Sequence, residues 1–352
     1  MKKTNGLLIG AIILVGIFFT FVAFGSVSAI AGQKIYRMKI QSAYPRGDIS
    51  MELLKYFADR TKERSNGRIL ISVFADPELV PAEQLFEATQ KGTLDMLHAV
   101  AAMWGGIVPV GEVEFGLPYA YNIPGDKDII ETGRIVRDFF YKSGLVKLLR
   151  QEYGKHGLFW LDMHSYGKII TMSRTCITSC DQFKGKKFRV EGSWADYYNG
   201  LGARGTYIPG TDAYMGLKLG TIDASQWDIS AITGLKWYEV APYWLVGGQN
   251  DVVPGHILVN MKSWNALPKN LQQALLGAAE DYYHKLLDSY MVEYKKADDL
   301  VKAGKIKKCV LDAECDKKCA EVANKLWDKI AKRDPAAAKA IEMIREWRKT
   351  LR

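Results

Sequence analysis

One short pattern occurs twice in the same structural setting, and that repeat constrains the fold more than any other feature of the chain. Gly92-Thr93-Leu94-Asp95 and Gly220-Thr221-Ile222-Asp223 each follow an amphipathic segment and lead directly into an apolar run. In both copies a glycine is placed to end a helix, after which a strand begins at once. Around the first copy, residues 35–41 and 68–74 read as strands, 82–91 as a helix and 94–100 as a third strand. Alternating strands and helices of this kind argue for a mainly parallel sheet with helices on its faces. Around the second copy the same order is expected: a strand at 187–190, a helix near 193–201, a short strand around 206–208 and a helix at 211–219. Two α/β lobes built alike follow, and 352 residues suit two domains of ordinary size. The remainder is helical, with long 3.6-residue periodicity over 271–301 and further helices near 314–331 and 335–349. Pro335 suits the first position of the last helix, and Asp334 suits its cap.

The first 31 residues differ from the rest. Lys2 and Lys3 precede an apolar stretch from Leu7 to Phe24, followed by small residues around Ala29 and Ala31. This is the layout of a secretory signal peptide cleaved after Ala29 or Ala31; an uncleaved N-terminal anchor is the alternative. Export to the periplasm is therefore expected. The net charge is +9, or +7 without Lys2 and Lys3, with Lys and Arg spread among acidic residues except at 305–308. With export, such a charge argues against nucleic acid as a partner. The five cysteines fall in two groups, Cys176 and Cys180, then Cys309, Cys315 and Cys319. In an oxidising compartment disulfides are expected. A small Cys176–Cys180 loop and a bridge from Cys309 to Cys315 or Cys319 are the pairings nearest in sequence, and one cysteine is left over.

Enzyme signatures are lacking. The chain contains no glycine-rich phosphate cradle, no HExxH and no GxSxG, and its histidines, at 98, 156, 164, 256 and 284, show no metal or triad spacing. The informative stretch is 181–227, which reads DQFKGKKFRVEG, LGARGTYIP and TDAYMGLKLGTIDASQW in successive pieces. With VEFGLP at 113–118, WNALP at 264–268 and EWRK at 346–349, it resembles the solute-binding subunit of tripartite ATP-independent periplasmic (TRAP) transporters, the DctP family, and most of all its binders of 2-oxo and 2-hydroxy monocarboxylates. The resemblance spans almost all of the mature chain.

That resemblance implies a two-lobe periplasmic-binding-protein fold of type II-like form, with a hinge and a helical C-terminal extension. Lobe I is expected at 33–163 plus about 255–295, and lobe II at 164–254 plus about 296–352. It also implies a binding protein rather than an enzyme, delivering a small organic carboxylate to a TRAP membrane permease. Service to a sensor kinase or an ATP-driven importer is the rival reading, and a secreted enzyme a more remote one. Arg189 is assigned the substrate carboxylate, which its planar fork of donors fits bidentately; a surface arginine on an edge strand would show the same local pattern. Trp227 is expected to wall the cleft, Trp104 to face it from the other lobe, and Tyr214 to occupy the family's helix tyrosine position. Gln226 stands where the oxo-acid binders usually have Glu, and His164 aligns with their Gln. Both changes weaken the case for a bridging Na or Ca ion, for which Gln226, Trp227 and Asp228 are the candidate ligands. If His164 faces the cleft, its charge could change within the periplasmic pH range. The long C-terminal helices leave room for a homodimer.

Overall fold

The protein is described here from a computed structural model covering residues 34–125, 127–249 and 252–351. The expected signal peptide lies outside the described residues. Among the described residues no helix is long and apolar enough to cross a membrane.

From Tyr36 onward the chain forms two sheets. The strands are β1 (Tyr36–Ser42), β2 (Ile69–Phe74), β3 (Met96–Ala99), β4 (Leu158–Ser165), β5 (Ile170–Ser173), β6 (Lys187–Arg189), β7 (Arg204–Thr206), β8 (Ala224–Trp227), β9 (Tyr243–Val246), β10 (Pro254–Asn260) and β11 (Lys307–Val310). The first sheet runs β2-β1-β3-β10-β4 and the second β11-β9-β5-β8-β6-β7. In each, a central strand pairs in parallel with two others: β1 with β2 and β3, β6 with β7 and β8. Next to each trio lies one antiparallel strand, β10 in the first sheet and β5 in the second. Each of these follows a passage of the chain from the other lobe, so the lobes are tied by β4→β5 and β9→β10. A 34-residue helix, Lys269–Lys302, adds a third tie. At 1.5 Å per residue it is about 50 Å long, packing on the first lobe and leading into β11 of the second.

The repeated Gly-Thr-x-Asp has a physical explanation. Gly92 and Gly220 end their helices with φ of 82° and 75°, a left-handed backbone that glycine adopts without a Cβ penalty. The aspartate then locks the neighbouring parallel strand at both of its polar groups. Asp95 accepts from Lys39 N at 2.8 Å and donates its own N–H to Lys39 O, while Asp223 does the same to Lys187, accepting at 2.9 Å. Lys39 and Lys187 are thus equivalent positions of the two lobes.

Two expectations need correction. The strand placed near 206–208 forms at Arg204–Thr206, because Ile208 is already in the loop entering the next helix at Pro209. The last helix, Pro335–Thr350, expected with lobe II, packs on the preceding helix Ala313–Ala331 and also on the first-lobe helices Val110–Phe115 and Leu145–Gly154. Trp347 stacks on Phe139 at 4.5 Å, and Arg348 donates to the Tyr119 and Ala120 carbonyls. An apolar stripe shows that a helix is buried, not which lobe buries it.

The cysteines pair Cys176–Cys309 and Cys180–Cys315, leaving Cys319 free and buried. Neither short loop forms; both bridges tie the segment after β5 to the C-terminal part of the chain. They enclose nearly the same loop, with sequence separations of 133 and 135. Once one is closed, the other adds only a small ring. By loop-closure entropy the first bridge removed by paired Cys→Ser substitution costs about 3 kcal/mol, and removal of the second about 5 kcal/mol more. Urea unfolding of C176S/C309S, C180S/C315S and the quadruple variant measures this, and equal, additive losses would contradict it.

Candidate ligand-binding site

β6 and its surroundings are built on the same plan as β1, with one consequential difference. Two residues beyond the locked lysines stand Gln41 and Arg189. The Gln41 amide closes the following loop by donating to Val80 O at 2.6 Å and accepting from Leu79 N and Val80 N. Arg189 Nε makes the matching bond to Ile208 O at 2.9 Å. Val80 and Ile208 each precede a proline that opens the next helical turn. Arginine is longer than glutamine, so its guanidinium continues past this anchor toward the other lobe. There Nη1 donates to Gln226 O at 3.2 Å and Nη2 to the Glu191 carboxylate. The guanidinium also lies over Trp227, 4.9 Å from the ring centroid, and over Tyr207 at 5.6 Å. Arg189 is only 2% exposed, so its charge is met by fixed groups rather than by water.

These groups border a cavity of about 20 Å³ between the lobes, lined by Tyr44, Tyr166, Arg189, Glu191, Tyr207, Gln226 and Trp227 among others. Its volume suits about one water molecule. The two lobes meet directly around this void. Tyr44, Tyr166 and Trp227 form a continuous aromatic wall, with ring centroids 5.1–6.2 Å apart. Trp227 can reach this position because Gly210 is bare: a Cβ there would come within 2.4 Å of the indole. Tyr44 is buried, and its hydroxyl has no hydrogen-bond partner among the described residues.

Closure is held by polar contacts between the lobes. Trp227 Nε1 donates to Asp48 Oδ2 at 2.9 Å, Ile49 N to Ser230 Oγ at 2.9 Å, and the Tyr207 hydroxyl to Glu83 at 2.8 Å. Asp48 caps the helix Ile49–Glu52 through its other oxygen. Gly192, at φ 51°, comes so near Ala102 of the first lobe that a Cβ would sit 2.9 Å from its carbonyl oxygen.

The expected site residues separate into two groups. Arg189, Trp227 and Gln226 come together at the cavity, whereas Trp104, His164 and Tyr214 do not line it. Trp104 stacks on His256 at 5.4 Å in the first-lobe core. Tyr214 is half-buried and bonds Glu239 at 3.1 Å. His164 is wholly buried between the Ser165 and Ala99 carbonyls and lies 4.1 Å from the His98 ring. Burial lowers its pKa to about 3, so it stays neutral and is no switch in the periplasmic range. The candidate cation ligands do not converge either. The Asp228 carboxylate accepts from the Tyr290 hydroxyl at 2.6 Å and from Ser230 N at 2.8 Å and does not line the cavity, while the Gln226 carbonyl faces the guanidinium. The Gln226 side-chain amide donates to the Tyr198 hydroxyl, so the polar groups of Gln226 and Asp228 are already engaged within the protein. The cluster of Cys180, Cys315 and Cys319 is no thiolate site, since two of its members are joined.

Glu191, Tyr44, Tyr166 and Tyr207 are cavity residues that the sequence reading did not single out. Glu191 was accessible to it, because residues two apart on an extended segment share a face. The tyrosines come from separate loops and carry no local signal.

Residues 40–334 match the DctP family model, bacterial extracellular solute-binding protein family 7. The chain is 24% identical over 332 residues to a monocarboxylate 2-oxoacid-binding periplasmic protein of Nostoc sp. strain PCC 7120, covering 92% of this chain and 87% of that one. It is 26% identical over 245 residues to the ectoine-binding periplasmic protein TeaA of Halomonas elongata, covering 69% and 68%. In fold it is similar to a TRAP periplasmic solute-binding protein of Colwellia psychrerythraea solved with calcium and pyruvate, with TM-score 0.82, 23% identity and coverage of 90% and 95%.

Asp228 lies behind this wall, and its pKa is pushed well above the usual carboxylate range by burial and by the nearby Asp48 charge. A raised folded-state pKa gives stability that is full below the unfolded value and is lost as pH rises through the folded one. Stability should therefore decline as pH rises above the unfolded carboxylate range, and Asp228→Asn should flatten that decline. Denaturation free energies of both proteins from pH 4 to 8 test this; parallel curves would contradict it.

Proposed function

Because the chain belongs to the DctP family of bacterial extracellular solute-binding proteins, we propose that it is a periplasmic receptor that closes its two lobes on a small organic carboxylate and carries it to a TRAP-type membrane permease. The observation that carries the ligand class is Arg189, a guanidinium almost wholly out of water at the interlobe cavity. Glu191 and two carbonyls already hold this guanidinium in place, and its position at the cavity lets it share its outer nitrogens with an anionic guest. A carboxylate reaching Nη1 and Nη2 forms charge-assisted bonds in a closed site, where they are stronger than in water. The unpartnered Tyr44 hydroxyl offers one further donor to the guest. The aromatic wall gives its carbon skeleton an apolar surface and keeps water out.

Relatives bracket the guest's size. One is named for monocarboxylate 2-oxo acids and another for ectoine, both small molecules bearing a single carboxylate. Solute capture in this family requires no bond making, and the roles assigned to Arg189, Trp227 and Tyr44 are all of binding. The +7 mature charge and the export signal agree with a periplasmic receptor for anions.

An Arg189→Ala protein should stay folded by circular dichroism and lose at least about 100-fold in affinity for its carboxylate ligand, as expected when a buried charged partner is removed. Calorimetry with the ligand that co-purifies with the wild type measures this. Unchanged affinity would overturn the assignment.

A further inference from the structure

Charge at the cavity points to a narrower ligand class than carboxylates at large. Of the residues that line it, only Arg189 and Glu191 belong to the strongly acidic or basic types. They already form an ion pair, with side-chain exposures of 3% and 14%. The lining therefore sums to zero before a guest arrives. At the site equivalent to Glu191 in the first lobe, two residues beyond Gln41, stands Ala43, which also lines the cavity. Glu191 is thus a charge added to a shared plan.

A guest with a bare carboxylate would place two carboxylates on one guanidinium and leave a net negative charge in a closed, dry space. The like charges repel, and neither is fully compensated. Glu83, hydrogen-bonded to Tyr207 at the rim, adds further negative potential from outside. A guest carrying its own positive centre meets no such cost. Its carboxylate shares the guanidinium while its cationic nitrogen takes the Glu191 carboxylate, giving two matched pairs in place of one. Tyr44, Tyr166 and Trp227 also line this cavity, and an aromatic ring attracts an ammonium or amidinium group that meets its face.

Building on the carboxylate reading above, we infer that Glu191 is a specificity-determining residue that makes this cleft select a small zwitterion, an amino acid or betaine-like molecule, over a simple monocarboxylate. Selection here works by penalty as much as by attraction: the unpaired second carboxylate excludes the wrong guest.

The test is calorimetric titration of the full mature protein with pyruvate, with proline, glycine betaine and ectoine, each with and without calcium and sodium. The wild type should bind at least one zwitterion 10-fold or more tightly than pyruvate. Glu191→Gln should weaken that zwitterion at least 10-fold and strengthen pyruvate at least 10-fold, with Arg189→Ala weakening both. Wild-type selectivity stands as a test even if the Glu191 variant does not fold. Tighter wild-type binding of pyruvate than of every zwitterion, or pyruvate binding that requires a cation and is lost in Glu191→Gln, would overturn the inference while leaving the carboxylate reading intact. Binding of none of the probes, or full affinity retained in Arg189→Ala, would overturn both.

Discussion

Arg189 carries a full positive charge at a depth where desolvation costs several kcal/mol, and each neighbouring element offsets part of that cost. Ile208 O and Gln226 O fix two of its nitrogens, Glu191 supplies the counter-charge, and Trp227 and Tyr207 offer ring faces. All of these partners belong to the second lobe. The first lobe contributes Tyr44, the Met103 and Val100 surface and, through Asp48, the acceptor for the Trp227 indole. One lobe thus holds the charge and the other closes over it. This division lets a hinge motion change the dielectric around the guanidinium without disturbing its anchors.

The near-duplication of the lobes explains how such a charge can be accommodated. Gln41 and Arg189 occupy equivalent strand positions and make equivalent bonds to the loop that precedes a proline. In the first lobe the side chain ends there, so the plan is neutral and purely structural. In the second the same anchor becomes the base of a longer, charged side chain. Function therefore resides in small departures from a common scaffold: arginine for glutamine, and glutamate where the other lobe has alanine. The two disulfides brace the second lobe alone, between the segment after β5 and β11 with the helix that follows. Both therefore cross-link the lobe that holds the charge.

Much of this was legible in the residues. Period-2 and period-3.6 patterns with glycine punctuation located most elements, and the Gly-Thr-x-Asp repeat announced paired lobes, because its aspartate performs the same bond twice. Arg189 was legible through the resemblance of its KGKKFRV segment to the family, since a surface arginine on an edge strand would show the same local pattern. Other features depended on long-range packing that no local pattern encodes. His164 aligned with a ligand position yet lies in the first sheet between two carbonyls, and Trp104 packs on His256 in the core. The cysteines bridge segments more than 130 residues apart, where spacing along the chain favours neighbours. The last helix showed its apolar stripe but not its partner. Glu191 was visible by strand alternation, but its importance appears only once the guanidinium it neutralises is known to be buried.

The central claim is that Arg189 exchanges part of its internal partnership for a guest's carboxylate when the lobes close. A crystal structure of the protein with its co-purified ligand tests this most directly. It should show a ligand carboxylate oxygen within about 3 Å of Arg189 Nη1 or Nη2, enclosed by Trp227 and Tyr44. A ligand held elsewhere, with Arg189 still bonded only to Ile208, Gln226 and Glu191, would contradict it.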